Sequence, residues 1–258
     1  MRYLAATIFL LFLSGQVQAA IHVETVEYRH DEAVLEGVFA WDDALAGQRP
    51  GVLVVHEWTG INNHIKERIE KLASLGYLAF AADIYGKGIR PQGREAASAQ
   101  AKIYRSNIPL MRERVRRGLE TLTEHQLADP QKTAAIGYCF GGTTALELAR
   151  SGANLKGVVS FHGGLATQSP EDAKNIRAKV LVLHGADDPH VPPKEVLAFQ
   201  DEMRNAGVDW QMIHYSNAVH SFTNKQAGND NSKGAAYNEM ADKRSWEAMK
   251  LFFGEIFQ

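Results

Sequence analysis

Unbroken runs of apolar residues recur along the chain and alternate with stretches in which apolar residues return at helical spacing. A run of about five or six apolar residues is typical of a parallel strand that is buried on both faces. We predict strands at residues 51–55, 77–82, 132–136, 157–161, 179–183 and 209–215. The amphipathic stretches predict helices at residues 63–75, 92–106, 109–125, 143–150, 192–206 and 237–257. This alternation predicts an α/β fold with a doubly wound, mostly parallel sheet and helices on both faces.

The segment before these strands has a different pattern. Residues 22–28 and 33–39 alternate partly between apolar and polar side chains, and the polar residues 29–32 separate them. Alternation of this kind around a short polar segment predicts two antiparallel strands joined by a turn.

The N-terminus has the pattern of a secretory signal peptide. Met1 and Arg2 form a positive start, residues 3–13 are an apolar run, and Val17 and Ala19 occupy the −3 and −1 positions of a cleavage site. The run is too short to span a bilayer, and no cysteine for a lipid anchor follows it. We predict a signal peptide at residues 1–19, with cleavage after Ala20 as the alternative. Residues 20–258 are then one domain without a stable membrane anchor, in the periplasm or outside the cell.

Composition and charge narrow the class of protein. The chain has 258 residues, 45% of them hydrophobic, and a net charge of −2, which is typical of one globular α/β domain. A charge so close to zero gives no argument for a nucleic-acid partner. The chain has one cysteine, so in an oxidising compartment its thiol has no intramolecular partner. Such a thiol is expected to be buried or to be used in chemistry.

That cysteine lies in the sequence Gly137-Tyr138-Cys139-Phe140-Gly141, between a predicted strand and a predicted helix. This is the G-x-S-x-G pattern of a nucleophile elbow with cysteine in place of serine. The elbow is a strained turn, and the two glycines allow the strand and the helix to approach each other. The sulfur lies at a helix N-terminus, where the helix dipole favours a thiolate. We predict that Cys139 is a nucleophile, with a small buried side chain as the alternative.

Further candidate catalytic residues follow the other predicted strands, where ligands bind in a doubly wound sheet: Glu57, Asp83, His162, Asp188 and His220. Cys139, Asp188 and His220 occur in the chain order nucleophile, acid, histidine of the α/β-hydrolases. A histidine takes the proton of the thiol, and a carboxylate orients that histidine. We therefore predict a triad of these three residues.

Two members of this triad have competitors. Asp187 competes with Asp188, which we favour because Pro189 follows it as a turn into the next helix. The competitors of His220 lie at strand positions or in other loops, and we interpret them as structural or hydrogen-bonded residues: His162, His184, His190 and His214. The ten histidines show no convincing metal spacing.

Five motifs extend over the predicted domain: H-E-W-T-G-I-N at 56–62, A-D-I-Y at 82–85, G-Y-C-F-G-G at 137–142, H-G-A-D-D-P-H-V at 184–191 and H-S-F at 220–222. In these motifs the chain resembles the dienelactone hydrolase family of the α/β-hydrolases. The resemblance implies an α/β-hydrolase fold and the hydrolysis of carboxylic esters or lactones. It implies neither a metal nor an organic cofactor.

The resemblance also implies residue roles. The nucleophile, acid and base of the family fall on Cys139, Asp188 and His220. Glu57 corresponds to a glutamate that interacts with the thiol in the resting state and takes part in its activation. The backbone N–H groups of Phe140 and Trp58 correspond to the oxyanion hole.

The substrate pocket departs from the family pattern. Well-known members hold the carboxylate of the lactone with two arginines, for which this chain has Lys87, just beyond Tyr85, and Asn224. Lysine supplies a point charge without a bidentate fork, and asparagine supplies no charge. We expect Tyr85, Lys87 and Asn224 to bind substrate, with Arg90 as a candidate for the lost charge. The replacements argue against dienelactone itself as substrate but not against ester or lactone hydrolysis.

The sequence therefore predicts a hydrolase that acts on a small ester or lactone through a Cys-His-Asp triad, as a monomer or homodimer. One alternative is a thiol-based enzyme of another class, either cysteine peptidase-like or peroxide-reactive. The order of Asp188 and His220 argues against that class. The other alternative is a non-catalytic binding protein on a hydrolase scaffold, against which the intact triad argues.

Overall fold

A computed structural model describes residues 20–258, and the predicted signal peptide at residues 1–19 lies outside the described residues. The described residues form eight strands: β1 (Ile21–His30), β2 (Ala33–Asp42), β3 (Arg49–Val55), β4 (Leu78–Ala82), β5 (Ala128–Tyr138), β6 (Gly157–Phe161), β7 (Lys179–Gly185) and β8 (Trp210–Tyr215). They also form six α-helices: α1 (Asn63–Ala73), α2 (Arg94–Arg105), α3 (Ile108–Glu124), α4 (Phe140–Arg150), α5 (Pro193–Ala206) and α6 (Glu239–Ile256).

The eight strands of residues 20–258 form one sheet with the order β1-β2-β4-β3-β5-β6-β7-β8. β2 pairs antiparallel with both β1 and β4, and every pair from β4 to β8 is parallel. The predicted opening hairpin and the mostly parallel sheet are both confirmed. From β3 the chain first winds to one side, through β4, and then to the other, through β5. The carboxyl ends of β3 and β5 therefore meet at a switch point, which is the usual place for a ligand in such a sheet.

Helices cover both faces of the sheet and create two hydrophobic cores. Helices α1 and α6 pack on one face, and α2 to α5 contribute to the core on the other. In α1, Ile65, Ile69 and Leu72 recur at helical spacing and are completely buried. This arrangement confirms the predicted α/β-hydrolase fold. No helix within residues 20–258 combines the length and hydropathy that a bilayer crossing requires.

The predicted elements are all present, with shifted ends. The largest shift is in β5, predicted at residues 132–136, because its polar first half pairs with Arg49 and Pro50 of β3. Helix α4 begins at Phe140 rather than at residue 143, since the glycines after the elbow are helical. Residues 20–258 also contain three short 3-10 helices that were not predicted: Pro170–Asn175, Lys225–Ala227 and Asn231–Lys233.

Candidate active site

Cys139 alone separates the end of β5 from the start of α4. Its backbone has a φ of 54°, which confirms the predicted strained turn. A Cβ atom added to Gly137 would lie 1.9 Å from the Gly141 carbonyl oxygen, and one added to Gly141 would lie 2.2 Å from the Val55 carbonyl oxygen. The elbow therefore needs glycine at both positions, as its sequence pattern predicts.

The side chains of Cys139, His220 and Asp188 form one hydrogen-bonded line. His220 Nε2 lies 3.0 Å from Cys139 Sγ, and His220 Nδ1 lies 2.8 Å from Asp188 Oδ2. Asp188 follows β7 with a completely buried side chain, and His220 lies in the loop after β8. An ionised carboxylate only accepts, so Nδ1 donates its proton to Asp188 and Nε2 faces the sulfur. The arrangement is that expected of a nucleophile, a base and an acid.

The electrostatics of this line favour a charged imidazole. Burial lowers the pKa of His220, but the Cys139 thiolate and the Asp188 carboxylate outweigh burial and raise that pKa to about 10. A proton that leaves the sulfur is therefore held by His220 at neutral pH.

The competing candidates lie outside this line. Asp187 is exposed to solvent, whereas Asp188 is buried. The rings of His184 and His214 pack against each other with centroids 5.1 Å apart, away from the thiol. The geometry therefore favours Asp188 over Asp187, as the position of Pro189 after Asp188 predicts.

His162 supports the elbow from the neighbouring strand. Its Nδ1 accepts a hydrogen bond from the Cys139 backbone N–H at 3.1 Å, and its Nε2 lies 2.8 Å from Thr223 Oγ1. Burial and the nearby charge of His220 hold the pKa of His162 well below its ordinary value. A neutral ring with its proton on Nε2 satisfies both contacts. The sequence indicated a hydrogen-bonded loop histidine here but not its partners.

The backbone N–H groups of Trp58 and Phe140 are the two oxyanion donors that the resemblance implies. Within residues 20–258, neither backbone N–H donates a hydrogen bond to another protein group. Trp58 lines the same cavity as Cys139, and Phe140 N–H lies at the N-terminus of α4. Both N–H groups therefore lack a protein acceptor in this part of the chain.

Tyr85 and Lys87 are not placed as expected, since neither lines the cavity at the thiol. Tyr85 is buried, and its hydroxyl donates a hydrogen bond to the Trp58 carbonyl oxygen at 2.9 Å. Tyr85 therefore helps to fix the backbone of Trp58. Lys87 is exposed and pairs with Glu27 of β1. Gly86, with a φ of 132°, turns the chain so that the Lys87 N–H donates to Val34 of β2. The structure therefore corrects the expected substrate contacts of Tyr85 and Lys87.

Arg90, the candidate for the lost charge, also lies outside the cavity wall. Its guanidinium lies 3.7 Å from Glu36 and 3.7 Å from Asp83. These carboxylates already neutralise it, so Arg90 does not replace the missing charge.

Glu57 and Asn224 line the cavity, but they contact each other. Asn224 Nδ2 donates to Glu57 Oε2 at 2.7 Å, and His64 Nδ1 lies 3.2 Å from the same oxygen. Burial opposes the ionisation of Glu57, yet His64, the hydrogen bond from Asn224 and the charge of nearby His220 outweigh burial and lower its pKa. The resemblance implied a resting contact between Glu57 and the thiol. In this structure the thiol contacts His220 instead.

A cavity of about 920 Å³ opens above the thiol. Cys139, His220 and Glu57 lie on its floor, and Arg94 and Arg105 of α2 contribute to its wall. Within residues 20–258, no group of three or more His, Cys, Asp or Glu side chains is arranged to hold a metal ion.

A model of the dienelactone hydrolase family matches residues 35–257. A putative carboxymethylenebutenolidase of Yersinia pestis is 31% identical over 221 residues, which cover 77% of each chain. Two solved structures are each 42% identical and cover 93% of this chain and 100% of their own. They are m3DLH, with a TM-score of 0.89, and P91, with a TM-score of 0.88. P91 is described as a dienelactone hydrolase-like promiscuous phosphotriesterase from metagenomic libraries.

The family match extends over nearly all of the predicted domain, and residues 35–257 include Cys139, Asp188 and His220. The protein is a hydrolase, and it belongs to the dienelactone hydrolase family.

Proposed function

We propose that the protein hydrolyses carboxylic esters or lactones of small molecules through a triad of Cys139, His220 and Asp188. The observation that carries this proposal is the hydrogen-bonded line from Asp188 through His220 to the sulfur. The line ends on the floor of a cavity that is large enough for a small organic substrate.

In the first half of the reaction, the Cys139 thiolate attacks the carbonyl carbon. The carbonyl oxygen becomes an oxyanion that accepts hydrogen bonds from the N–H groups of Trp58 and Phe140, each worth roughly 3–4 kcal/mol of the barrier. The carbon–oxygen bond to the alcohol then breaks, and the imidazolium of His220 protonates the departing alkoxide.

In the second half, water attacks the thioester that remains on Cys139. His220 takes a proton from this water, a second oxyanion forms in the same hole, and the carbon–sulfur bond breaks. The acid leaves and the thiolate is regenerated beside the imidazolium. A lactone follows the same path, except that its alcohol stays attached to the acid.

We propose a substrate range broader than dienelactone. The amide of Asn224 donates a hydrogen bond to Glu57, and Lys87 forms an ion pair with Glu27. Neither side chain therefore forms the carboxylate clamp of the well-known members. The positive side chains in the cavity wall are instead Arg94, Arg105 and Lys233, which all lie in its exposed part. Neutral esters are therefore expected to be turned over as well as anionic ones.

A second candidate activity is the hydrolysis of phosphotriesters. It is favoured by the similarity to P91, which is described as a promiscuous phosphotriesterase. The thiolate would attack phosphorus, the aryloxide would leave, and water would then cleave the phosphorus–sulfur bond. The same thiol and imidazole carry both reactions.

A substrate panel tests both activities on the purified protein. The panel consists of p-nitrophenyl acetate, a longer acyl ester, dienelactone and diethyl p-nitrophenyl phosphate, beside the variants Cys139→Ala and Lys87→Ala. We expect Cys139→Ala to lose at least about 10³-fold in kcat, because the nucleophile is absent. Lys87→Ala is the matched control and is expected to retain wild-type rates, because Lys87 lies outside the cavity.

This panel, together with a peroxide-consumption assay and an ester-binding measurement, distinguishes the candidate functions. Ester hydrolysis that survives in Cys139→Ala would move the chemistry away from the elbow. Peroxide consumption without ester hydrolysis would favour the alternative thiol-based enzyme. Tight binding of an ester without turnover would favour the binding protein.

A further inference from the structure

His162 follows β6 with a strained backbone and a buried ring. Its φ of 40° lies in a region that residues with a side chain seldom adopt, and its exposed fraction is 1%. Such strain persists only where the surrounding contacts hold it in place, and it is frequent at functional sites. His162 is not a member of the proposed triad, so the three catalytic side chains do not account for this strain.

The two ring nitrogens of His162 contact two different segments of the chain. Nδ1 accepts from the Cys139 backbone N–H at 3.1 Å, and that N–H also points to a backbone carbonyl oxygen of β6 at 3.0 Å. A nitrogen that accepts carries no proton, so the ring proton lies on Nε2. Nε2 therefore donates to Thr223 Oγ1, 2.8 Å away. The ring thus joins the elbow to the base loop, residues 216–224, which carries His220.

Thr223 lies three residues after His220 and is held at two points. Its hydroxyl accepts from His162, and its carbonyl oxygen accepts from Arg68 Nη2 at 2.7 Å. The same nitrogen of Arg68 also donates to Asp242 of α6 at 2.7 Å. The main chain of Thr223 is therefore held by α1 and, through Arg68, by α6, while its side chain is held by His162.

The His162 ring also packs on His220, the proposed base. The centroids of the two rings lie 5.4 Å apart, at an interplanar angle of 65°. The ring of Phe222 packs on His162 in the same way, with centroids 5.0 Å apart and an angle of 80°. Edge-to-face contacts of this kind have a preferred geometry. These contacts and the hydrogen bond to Thr223 therefore act together on the base loop.

The surroundings of His162 keep its ring neutral. Burial opposes a charge on the ring, and the nearby His220, His64 and Arg68 oppose it further, so the pKa of His162 lies well below its ordinary value. A neutral ring has one acceptor and one donor, which its two hydrogen bonds require. Both hydrogen bonds therefore persist at neutral pH.

We propose that His162 and Thr223 are positioning residues that hold His220 where it exchanges a proton with Cys139. The hydrogen bond between them sets the elbow and the base loop relative to each other, whereas Arg68 holds the base loop to the helices. Without the Thr223 hydroxyl, the base loop keeps its contacts with α1 and α6 but loses its link to the elbow. This inference rests on the proposed roles of Cys139 and His220 in catalysis.

Steady-state kinetics on p-nitrophenyl acetate test this link with two substitutions at Thr223. Thr223→Val removes the hydroxyl with little change of shape and leaves the carbonyl oxygen that accepts from Arg68. We expect kcat to fall roughly 10–100-fold, because a displaced base transfers protons poorly. KM should stay within about twofold, because Thr223 does not line the cavity and His220 acts in both halves of the reaction. Thr223→Ser keeps the hydroxyl and is expected to keep kcat within about threefold of wild type.

A double-mutant cycle distinguishes this link from general packing. His162→Phe keeps an aromatic ring but has neither nitrogen, so it should lose about as much kcat as Thr223→Val. If both substitutions remove the same hydrogen bond, the variant that carries both should lose no more than His162→Phe alone. Independent structural roles would instead give losses that multiply.

Alkylation of the thiol by iodoacetamide, followed by intact mass, is a second measurement and needs no turnover. Cys139 is the one cysteine of the chain, so the rate reports on that thiol alone. A loosely held His220 stabilises the thiolate less, so at about pH 7 we expect Thr223→Val to react about fivefold more slowly and Thr223→Ser at the wild-type rate. If the wild type hydrolyses no ester, the proposed function fails, and the alkylation rates still decide on the link.

Unfolding in urea first establishes that each variant is folded. A wild-type kcat and alkylation rate in Thr223→Val would overturn the proposal, as would an equal loss in Thr223→Ser. Losses that multiply in the double variant would overturn it too. If Thr223→Val does not fold, His162→Phe decides: slower alkylation supports the link, and an unchanged rate overturns it.

Discussion

The proposed chemistry depends on His220, because each of its ring nitrogens contacts another member of the proposed triad. Nδ1 contacts Asp188 at 2.8 Å, and Nε2 contacts Cys139 at 3.0 Å. Burial opposes protonation of the ring, but its two anionic neighbours prevail and raise its pKa to about 10. The ring is thus ready to protonate a leaving alkoxide over the whole neutral range.

The substitution Asp188→Asn is expected to lower kcat/KM for an ester by about 10³–10⁴-fold, since an amide that donates to Nδ1 favours the wrong tautomer. Loss of the negative charge also lowers the pKa of His220. The alkaline limb of the pH profile should therefore move to lower pH. Blank-corrected ester hydrolysis between about pH 6 and about pH 10 measures both effects. The exposed neighbour gives the control, Asp187→Asn, which should behave as wild type. An unmoved limb in Asp188→Asn would contradict the assignment.

The proximity of the three proposed triad residues could be predicted from the sequence because each lies in the loop or turn after a predicted strand. The carboxyl ends of parallel strands meet at one edge, so Cys139, Asp188 and His220 are brought together by the fold class itself. His64 and Arg68 lie on α1 instead. Their partners, Glu57 and Asp242, become neighbours only when α1 and α6 pack on the same face of the sheet.

The misplaced residues have a local cause. Lys87 and Tyr85 follow β4 closely, which suggested that they reach the cavity. A turn at Gly86, with a φ of 132°, directs Lys87 toward β1 and β2, and the Tyr85 ring packs between Tyr104 and Phe140. A sequence pattern gives the residue at a strand end but not the direction of its side chain.

At the scale of elements, the elbow joins β5 and α4 with almost no free space. The substitution Gly137→Ala would place a Cβ atom 1.9 Å from the Gly141 carbonyl oxygen, and that backbone atom cannot move without displacing α4. We expect the free energy of unfolding to fall by about 3 kcal/mol or more. Urea denaturation with a constant m-value measures the change.

The control for this prediction is Gly254→Ala, in the last turns of α6. A Cβ atom there meets no heavy atom within 4 Å, and the residue is exposed. Alanine is expected to stabilise the helix by about 0.5–1 kcal/mol. Equal losses in both variants would mean that the contact at the elbow is not the cause.

The central parts of the strands and helices could be predicted, whereas several ends could not. The first half of β5 is polar, so its apolar pattern begins only near residue 132, although it pairs with β3 from Ala128 onward. The short 3-10 helices after β8 have no apolar periodicity at all. Their form is set by local hydrogen bonds, such as the one that the Gln226 N–H donates to Asn224 Oδ1.

At the scale of the whole molecule, the alternation of strands and helices was enough to predict the sheet and its two helical layers. The strand order was not predicted, because hydrophobic patterns do not record which strand is the neighbour of which. The position of β4 outside β3 is decided by the pairing of Val38, Phe39 and Ala40 of β2 with β4.

The mature N-terminus is a further prediction at this scale. We propose that residues 1–19 are removed on export, so the intact mass of the mature protein should correspond to a chain that begins at Ala20. A charged residue at the −1 position should prevent this cleavage, so Ala19→Arg is the control. Continued cleavage of this variant, one residue later, would identify the alternative site after Ala20. A mature protein that still begins at Met1 would contradict export by this route.

The reactive floor of the cavity and its outer wall come from different parts of the chain. The floor belongs to the ends of β3 and β5 and to the loop that carries His220, and buried side chains pack beneath it. The wall includes exposed residues from several segments, such as Arg94 and Arg105 of α2, Gln168 after β6, and Lys233. Mutations in the wall can therefore accumulate at little cost to folding, while the floor tolerates almost none. Proteins that descend from one ancestral chain can thus come to bind different substrates while they keep the same reaction. Directed evolution can change the substrate range in the same way, by substitutions in the wall.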